Sequence, residues 1–141
     1  MDLELDGQLA PVRQACRLPV ILLDTNALIW LHRGHSRSRP LRETFQRLYV
    51  SPASVLELQF LVEAGRLRLR SQATVSDLID DDRWAIDDPP SDRWFTAAVE
   101  VGWSRDPFDR LIVAHARLRG WRLATGDDAL LTRLGPKGFE L

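Results

Sequence analysis

The sequence predicts an α/β fold, a three-layer α/β/α sandwich with helices on both faces of a mostly parallel sheet. Short apolar runs alternate with longer helical patterns, which is typical of strand–helix–strand units. The run Val20-Ile21-Leu22-Leu23 is apolar throughout, as expected for a strand buried on both faces. With 141 residues, 45% of them hydrophobic, the chain is long enough to bury the core of one such domain.

Five strands and seven helices follow from these patterns. We predict strands over residues 20–23, 48–50, 84–86, 121–125 and 139–141. We predict helices over residues 27–32, 41–47, 51–64, 74–82, 91–102, 106–119 and 127–134, with a loop over 34–40. Pro52 and Pro107 fit the first turn of a helix, while Gly65 and Gly120 fit the position just past a helix end.

The chain divides into a leading segment and one domain. Residues 1–19 show no clear periodicity and end at Pro19, so we expect an N-terminal extension there and the domain over residues 20–141. No apolar run approaches the roughly 18 residues of a membrane span, and the acidic start lacks the basic region of a secretory signal. The single cysteine, Cys16, cannot form an internal disulfide, which favours a reducing, cytoplasmic location.

Two aspartates, Asp24 and Asp127, stand just past predicted strand ends, directly before predicted helices. Ligands of open α/β sheets bind at the carboxyl ends of strands, and helix N-termini favour negative charge. The alternative for each aspartate alone is a helix N-cap, a common role of this residue type. Asn26 could contribute an amide, and Thr25 and Thr125 hydroxyl groups.

Glu57 is a carboxylate on a largely apolar helix face. Its neighbours at spacings of three and four are Ala53, Ser54, Phe60 and Leu61. A glutamate in such surroundings is expected to be paired, protonated or bound to a metal ion. The alternative to a metal ligand here is a buried ion pair with an arginine.

The segment Asp106-Pro107-Phe108-Asp109 reads as a helix start, with Asp106 as N-cap and Pro107 as first helical residue. Asp109 shares a face with the apolar residues of a well-buried helix, so it suggests a site. Asp106 alone is better explained as a cap than as a ligand. His115 lies inside the same apolar run, and we expect it to be a packed core histidine.

Acidic side chains converging from several elements suit Mg²⁺ or Mn²⁺, hard ions that prefer oxygen ligands. Such ions activate water and stabilise charge on a phosphate during in-line displacement, whereas clustered carboxylates without a cation repel each other. The net charge of −1 excludes a whole-chain basic field. All basic residues except Lys137 are arginines, which either grip phosphates or belong to an ordinary solvated surface.

The sequence lacks the motifs of several other functional classes. The chain has no phosphate-binding Gly-x-x-x-x-Gly-Lys or Gly-x-Gly-x-x-Gly loop and no Gly-x-Ser-x-Gly elbow, and its histidines have no zinc-like spacing with Cys16. A phosphoacceptor receiver domain would need a lysine near the last strands, and Lys137 lies beyond the final predicted helix. The five tryptophans are expected mainly in the core rather than stacked on bases.

Four blocks of the sequence together resemble PIN-domain ribonucleases, and among them the VapC toxins of bacterial type II toxin–antitoxin pairs. The blocks are Leu22-Leu23-Asp24-Thr25-Asn26-Ala27-Leu28, Ser54-Val55-Leu56-Glu57-Leu58, Arg105-Asp106-Pro107-Phe108-Asp109-Arg110-Leu111-Ile112-Val113-Ala114 and Ala124-Thr125-Gly126-Asp127. The resemblance covers roughly residues 20–141. Its most specific block is Asp-Pro-Phe-Asp-Arg-Leu-Ile.

The resemblance implies a five-stranded parallel sheet and a Mg²⁺ site, with Mn²⁺ as the other candidate. It implies that the catalytic and metal-binding quartet is Asp24, Glu57, Asp109 and Asp127. Its accessory residues would be Asn26, Asp106, Arg110 and Thr125, with RNA backbone held by Arg33, Arg37, Arg39 or Arg110.

It further implies an RNA substrate, a homodimer and a small antitoxin that inserts a peptide into the acidic site. The chain departs from the pattern at Leu61, where relatives often carry lysine, and at Ser104, where they often carry histidine. The main alternative is a catalytically silent PIN-like module that binds RNA or a protein.

Overall fold

The computed structural model describes residues 19–141 and contains five strands joined into one sheet. The strands are β1 (Val20–Leu23), β2 (Arg47–Val50), β3 (Ala85–Ile86), β4 (Arg122–Thr125) and β5 (Gly138–Glu140). The predicted N-terminal extension over 1–19 lies almost entirely outside the described residues.

Every strand pairing in the sheet is parallel, and the strand order is β3-β2-β1-β4-β5. The first strand is therefore central: Leu22 lies opposite Tyr49 of β2 on one side and opposite Leu123 of β4 on the other. The chain moves outward from β1 to β2 and β3, then returns to the other side of β1 for β4 and β5. Parallel neighbours require such long crossovers, which here are helical.

Seven α-helices occur in residues 19–141. They are α1 (Thr25–Arg33), α2 (Arg39–Arg42), α3 (Pro52–Glu63), α4 (Val75–Ile79), α5 (Ser91–Val99), α6 (Pro107–Arg119) and α7 (Asp128–Leu134). Two short 3₁₀ helices, Ser36–Ser38 and Gly135–Lys137, complete the described part. None of these helices is long and apolar enough to cross a bilayer.

Hydrophobic cores on both faces of the sheet confirm the three-layer architecture. Side chains alternate along a strand, so Ile21 and Leu23 enter one core while Leu22, between them, enters the other. The first core also contains Leu28 of α1, Leu58 of α3 and Trp84. The second contains, from the helices, Trp94 and Ala98 of α5 and Ile112 and Val113 of α6. The central strands β1 and β4 are buried over three of their four residues, whereas both residues of the edge strand β3 are exposed.

The predicted boundaries hold within a few residues with one clear exception. We expect a helix over residues 41–47, but the helix is Arg39–Arg42, and Arg47 begins β2. The reason is a long-range contact: the Arg47 N–H donates to the carbonyl of Pro19 at 2.9 Å, and Arg47 pairs with Val20. The predicted loop over 34–40 likewise contains the 3₁₀ helix and the start of α2.

His115 is fully buried on α6, as expected of a core histidine. Its Nε2 lies 2.7 Å from Oδ2 of Asp87, and Arg119 donates to the same carboxylate from Nε at 2.7 Å. Burial is the main reason that the pKa of His115 is lowered, although the Asp87 carboxylate opposes it. The cluster fastens the segment after β3 to helix α6.

Candidate active site

Asp24 and Asp127 lie side by side at the carboxyl edge of the sheet. Asp24 directly follows β1, and its N–H donates to the carbonyl of Ala124 in the neighbouring strand β4 at 3.0 Å. Asp127 follows β4 by two residues and is the N-cap of α7. The crossovers leave β1 and β4 in opposite directions along the sheet, and ligands of open α/β sheets bind outside the strand ends at such a switch point. The predicted proximity of the two aspartates is confirmed.

Both aspartates are also helix N-caps, so the simpler alternative holds as well. Oδ1 of Asp24 accepts from the N–H of Ala27 at 2.7 Å. Oδ1 of Asp127 accepts from the N–H groups of Ala129 and Leu130 at 2.8 and 3.1 Å. Each cap uses only Oδ1, so capping fixes the carboxyl group and leaves Oδ2 outside the cap. Capping and a role in a site are therefore compatible.

The Asp24 carboxyl group is buried, with 7% of the residue exposed. Its pKa is raised to about 6, mainly by burial, and the charges of Glu57 and Asp127 act in the same direction. Hydrogen bonds from the Thr125 hydroxyl and the Ala27 N–H act in the opposite direction. Holding this group as an anion is costly, which is the condition under which a bound cation contributes most.

Glu57 reaches the same edge from α3. Its Oε1 accepts a hydrogen bond from the Thr25 hydroxyl at 2.5 Å, and Thr25 Oγ1 also lies 3.0 Å from Ser54 Oγ. Because a hydroxyl has one proton, which Thr25 gives to the carboxylate, Ser54 must be the donor to Thr25. Burial is the main cause of the raised pKa of Glu57, with a contribution from Asp106.

Within residues 19–141, Glu57 forms no ion pair with an arginine, so the alternative of a buried arginine pair is wrong for this part of the chain. The ion pairs of this part of the chain are Arg83–Asp81, His115–Asp87 and Arg119–Asp87. Arg66 only lowers the pKa of Glu57 from a distance, as the smallest of the contributions. Glu57 is thus a half-buried carboxylate whose direct polar partner is a neutral hydroxyl.

Asp109 completes the group from the first turn of α6. Its pKa is raised to about 7, mainly by burial and in addition by the charges of Asp106, Glu57, Asp24 and Asp127. Asp106 is the N-cap of α6, as predicted, and its Oδ1 accepts from the N–H of Phe108 at 2.8 Å. Asp106 is exposed and stands at the rim of the acidic group.

The four carboxyl groups interact electrostatically, but their geometry is not that of a complete metal site. Within residues 19–141, no group of three or more His, Cys, Asp or Glu side chains has a geometry that could hold a metal ion. The donor set itself suits a hard cation, because all four groups offer carboxylate oxygens. A divalent cation would also offset the burial and mutual repulsion that raise the pKa values of Asp24 and Asp109.

The predicted accessory residues have different surroundings. Asn26 is exposed in the first turn of α1, and Thr125 is fully buried, with its Oγ1 accepting from the N–H of Asp127 at 3.1 Å. Arg110 donates from Nε to the carbonyl of Ala98 and from Nη2 to that of Val99, at the end of α5. Its guanidinium thus stabilises a helix C-terminus.

The arginines expected to hold RNA are partly engaged with the protein. Arg33 donates to the carbonyl of Arg68 at 3.2 Å, and Arg37 donates to that of Gly126 at 3.3 Å. Arg39 is exposed. Ser54 was not predicted as part of the site, although a small polar residue three positions before Glu57 on one helix face is a signal for it.

Comparison with known proteins places this geometry in a family. The model of the PIN domain family matches residues 21–135, which is most of the chain. Among curated proteins, none matches the sequence. Several solved structures share the fold at low sequence identity.

A toxin–antitoxin complex from Klebsiella pneumoniae has a chain that is 19% identical, with a TM-score of 0.57, covering 86% of this chain and 99% of that one. VapBC2 from Rickettsia felis, bound to a promoter DNA fragment, is 18% identical with a TM-score of 0.58 and covers 86% and 97%. VapBC-1 from nontypeable Haemophilus influenzae is 17% identical with a TM-score of 0.61 and the same coverage. At these identities the likeness concerns the fold, and together with the family match it shows that the chain belongs to the PIN domain family.

Proposed function

We propose that this chain is a divalent-metal-dependent endoribonuclease and the toxin of a type II toxin–antitoxin pair. The observation that carries the proposal is the gathering of Asp24, Glu57, Asp109 and Asp127 at the carboxyl edge of β1 and β4, where burial and mutual repulsion raise the pKa values of Asp24 and Asp109. A role as helix N-cap alone would not require these four carboxyl groups to lie together. Membership of the PIN domain family supports the same assignment.

In this proposal, the four carboxylates hold one or two Mg²⁺ or Mn²⁺ ions. Bound there, the cation supplies activation of a water molecule and stabilisation of the charge that develops on the phosphate. The protein's part is orientation: the caps fix Asp24 and Asp127, and the Thr25 hydroxyl fixes Glu57. Asp109 has to lose its proton before it can act as a ligand, since a protonated carboxyl binds cations poorly.

The direct test is cleavage of RNA by the purified chain in Mg²⁺, in Mn²⁺ and in EDTA. The variants are Asp24→Asn and Asp109→Asn, with Asp77→Asn as the matched control. Asp77 is an exposed aspartate that takes part in the capping box of α4 with Thr74. We expect cleavage by the wild type and the control only with divalent metal, and a loss of roughly 100-fold or more in either site variant.

Cleavage that continues unchanged in EDTA, or in the Asp24→Asn variant, would contradict the metal mechanism. The ends of the products give a second check, because hydrolysis through metal-activated water is proposed to leave a 5′-phosphate and a 3′-hydroxyl. A 2′,3′-cyclic phosphate would indicate attack by the ribose itself and so a different enzyme.

The proposal includes protein partners: a homodimer, and a small antitoxin that covers the acidic site, both in the cytoplasm. Large apolar side chains support this part, because Leu56 and Phe60 of α3 and Phe95 and Val99 of α5 are at least half exposed. Such side chains on the surface of a small domain often mark a protein contact. Light scattering of the purified chain tests the dimer, and co-purification with the product of the adjacent upstream gene tests the antitoxin.

A catalytically silent PIN-like module that binds RNA or a protein is the second candidate. One observation favours it: within residues 19–141, no group of three or more His, Cys, Asp or Glu side chains has a geometry that could hold a metal ion. Calorimetric titration with Mn²⁺ separates the two candidates. Binding that is lost in Asp109→Asn and kept in Asp77→Asn supports the nuclease, whereas no binding at millimolar Mn²⁺ supports the silent module.

A further inference from the structure

Arg37, which the sequence leads us to expect on RNA, is bound to the turn that carries Asp127. It lies in the 3₁₀ helix Ser36–Ser38, and its Nη2 donates to the carbonyl of Gly126 at 3.3 Å and to the main-chain oxygen of Leu141 at 3.0 Å. Its guanidinium carbon stands 4.3 Å from the centre of the Trp30 indole ring. The group is therefore held between an aromatic face and two backbone acceptors.

The peptide unit between Gly126 and Asp127 is fixed at both of its polar ends. Its carbonyl oxygen accepts from Arg37, and its N–H donates to Thr125 Oγ1 at 3.1 Å. The orientation of this peptide plane decides where the Asp127 side chain begins. Since Oδ1 of Asp127 is further held by the N–H groups of Ala129 and Leu130, the whole carboxylate has little freedom left.

Gly126 is a glycine because of close approach. A Cβ at this position would collide with Nη2 of Arg37 and would lie 2.7 Å from the nearest ring carbon of Trp30. Both separations are shorter than van der Waals contact, so a methyl group would push the guanidinium and the ring away. The absence of a side chain at Gly126 therefore allows Arg37 and Trp30 to pack directly against the backbone at this position.

We propose that Arg37, seated on Trp30, is a positioning residue that holds the Gly126–Asp127 peptide and so aims the Asp127 carboxylate into the acidic site. It acts through Asp127 and does not bind RNA phosphate. This inference rests on the proposed nuclease function, because its expected effect is a change in the affinity of the acidic site for metal. Supporting contacts of this kind typically change metal affinity by about 10- to 100-fold when they are removed.

A lysine at this position distinguishes positioning from phosphate binding. Arg37→Lys keeps the positive charge, but its side chain is one atom too short to reach the position of Nη2, and it loses the planar group that stacks on the indole of Trp30. If Arg37 instead bound phosphate, the variant would lose RNA affinity while its Mn²⁺ affinity and its metal-free hydrogen exchange stayed at wild-type values. Gly126→Ala attacks the same contact from the other side without altering any charge. Arg42→Lys serves as the control, because Arg42 is exposed and lies in the same arginine-rich stretch.

The experiment measures Mn²⁺ affinity by electron paramagnetic resonance, RNA affinity in EDTA, and steady-state cleavage. We expect Arg37→Lys and Gly126→Ala each to weaken Mn²⁺ binding by roughly tenfold or more and to lower kcat, with KM and metal-free RNA affinity within about twofold of wild type. The double variant should be no weaker than the stronger single one, because both break one contact. Arg42→Lys should match wild type throughout.

A second readout needs no metal: hydrogen exchange of the Asp127 amide should be faster in Arg37→Lys and Gly126→Ala. Arg37→Lys with wild-type exchange and wild-type Mn²⁺ affinity would overturn the inference, and a selective loss of RNA affinity would reassign Arg37 to phosphate. If the wild type neither binds Mn²⁺ nor cleaves RNA, the proposed function fails, while the exchange measurement still decides whether Arg37 holds the turn.

Discussion

Replacing the buried Asp24 by asparagine should make the metal-free protein more stable while abolishing its response to metal. In the folded chain, burial raises the pKa of Asp24 from the ordinary 3.8 to about 6. The folded state therefore holds this proton more tightly than the unfolded state does. Stability falls as the pH rises from about 4 to 6, and the whole penalty is present at neutral pH.

The magnitude follows from the pKa difference. Each pKa unit corresponds to about 1.36 kcal/mol, so ionising Asp24 at neutral pH costs the folded state up to about 3 kcal/mol. Only 7% of the residue is exposed, so solvent screening reduces this little. Asparagine keeps an oxygen that can accept from the N–H of Ala27, and it serves as an N-cap as well as aspartate does. We expect a net gain of about 1–3 kcal/mol at neutral pH.

The assay is urea unfolding of the metal-free protein at pH 5 and at neutral pH, for wild type, Asp24→Asn and the control Asp77→Asn. The advantage of Asp24→Asn should grow between the two pH values, and millimolar Mg²⁺ should stabilise wild type but not this variant. The pKa of Asp77 is lowered by hydrogen bonds from Thr74, so its replacement should not stabilise. An Asp24→Asn variant less stable than wild type at neutral pH would refute the reasoning.

Three further outcomes follow from the same contacts. Mn²⁺ affinity should rise as the pH increases through about 7, because Asp109 must lose its proton; calorimetry showing equal affinity on both sides of that pH would contradict this. Thr25→Val should reduce RNA cleavage by roughly tenfold, because Glu57 loses its hydroxyl donor; full activity would show that the bond is dispensable. Asp87→Ala should cost about 1–3 kcal/mol in urea unfolding by leaving His115 without its carboxylate partner, with Mn²⁺ binding retained.

The fold was largely predictable because its central strands, β1 and β4, are buried on both faces. A run such as Ile21-Leu22-Leu23 has to fill two cores, so it is apolar at every position and easily recognised. The helix expected over residues 41–47 was wrong because the local sequence pattern does not show the hydrogen bond between Arg47 and Pro19. This bond places Arg47 in β2. Pairing across the sheet decided there, as tertiary contacts commonly override local propensity.

The acids of the candidate site were predictable for a different reason. Glu57 is conspicuous because it is out of place among apolar neighbours, and Asp24 because it ends a buried strand. Their partners were not predictable in the same way. Thr25 meets Glu57 across 32 residues and Arg37 meets Gly126 across 89, and nothing in either local sequence says which distant group will be reached. The family resemblance predicted RNA contacts for Arg37, which stay a prediction, and the sequence did not predict its hydrogen bonds to the protein's own backbone.

The pairing of β1 with β4 also sets when the acidic group can first exist. Asp24 is made early in synthesis and Asp127 late, and they become neighbours only when Arg122–Thr125 is inserted beside the central strand. Contacts so far apart in sequence form late, because the intervening chain must be ordered first. A chain still on the ribosome without β4 carries Asp24 and Glu57 but no complete site. The complete acidic group can therefore form only after β4 has joined the sheet, late in the synthesis of the domain.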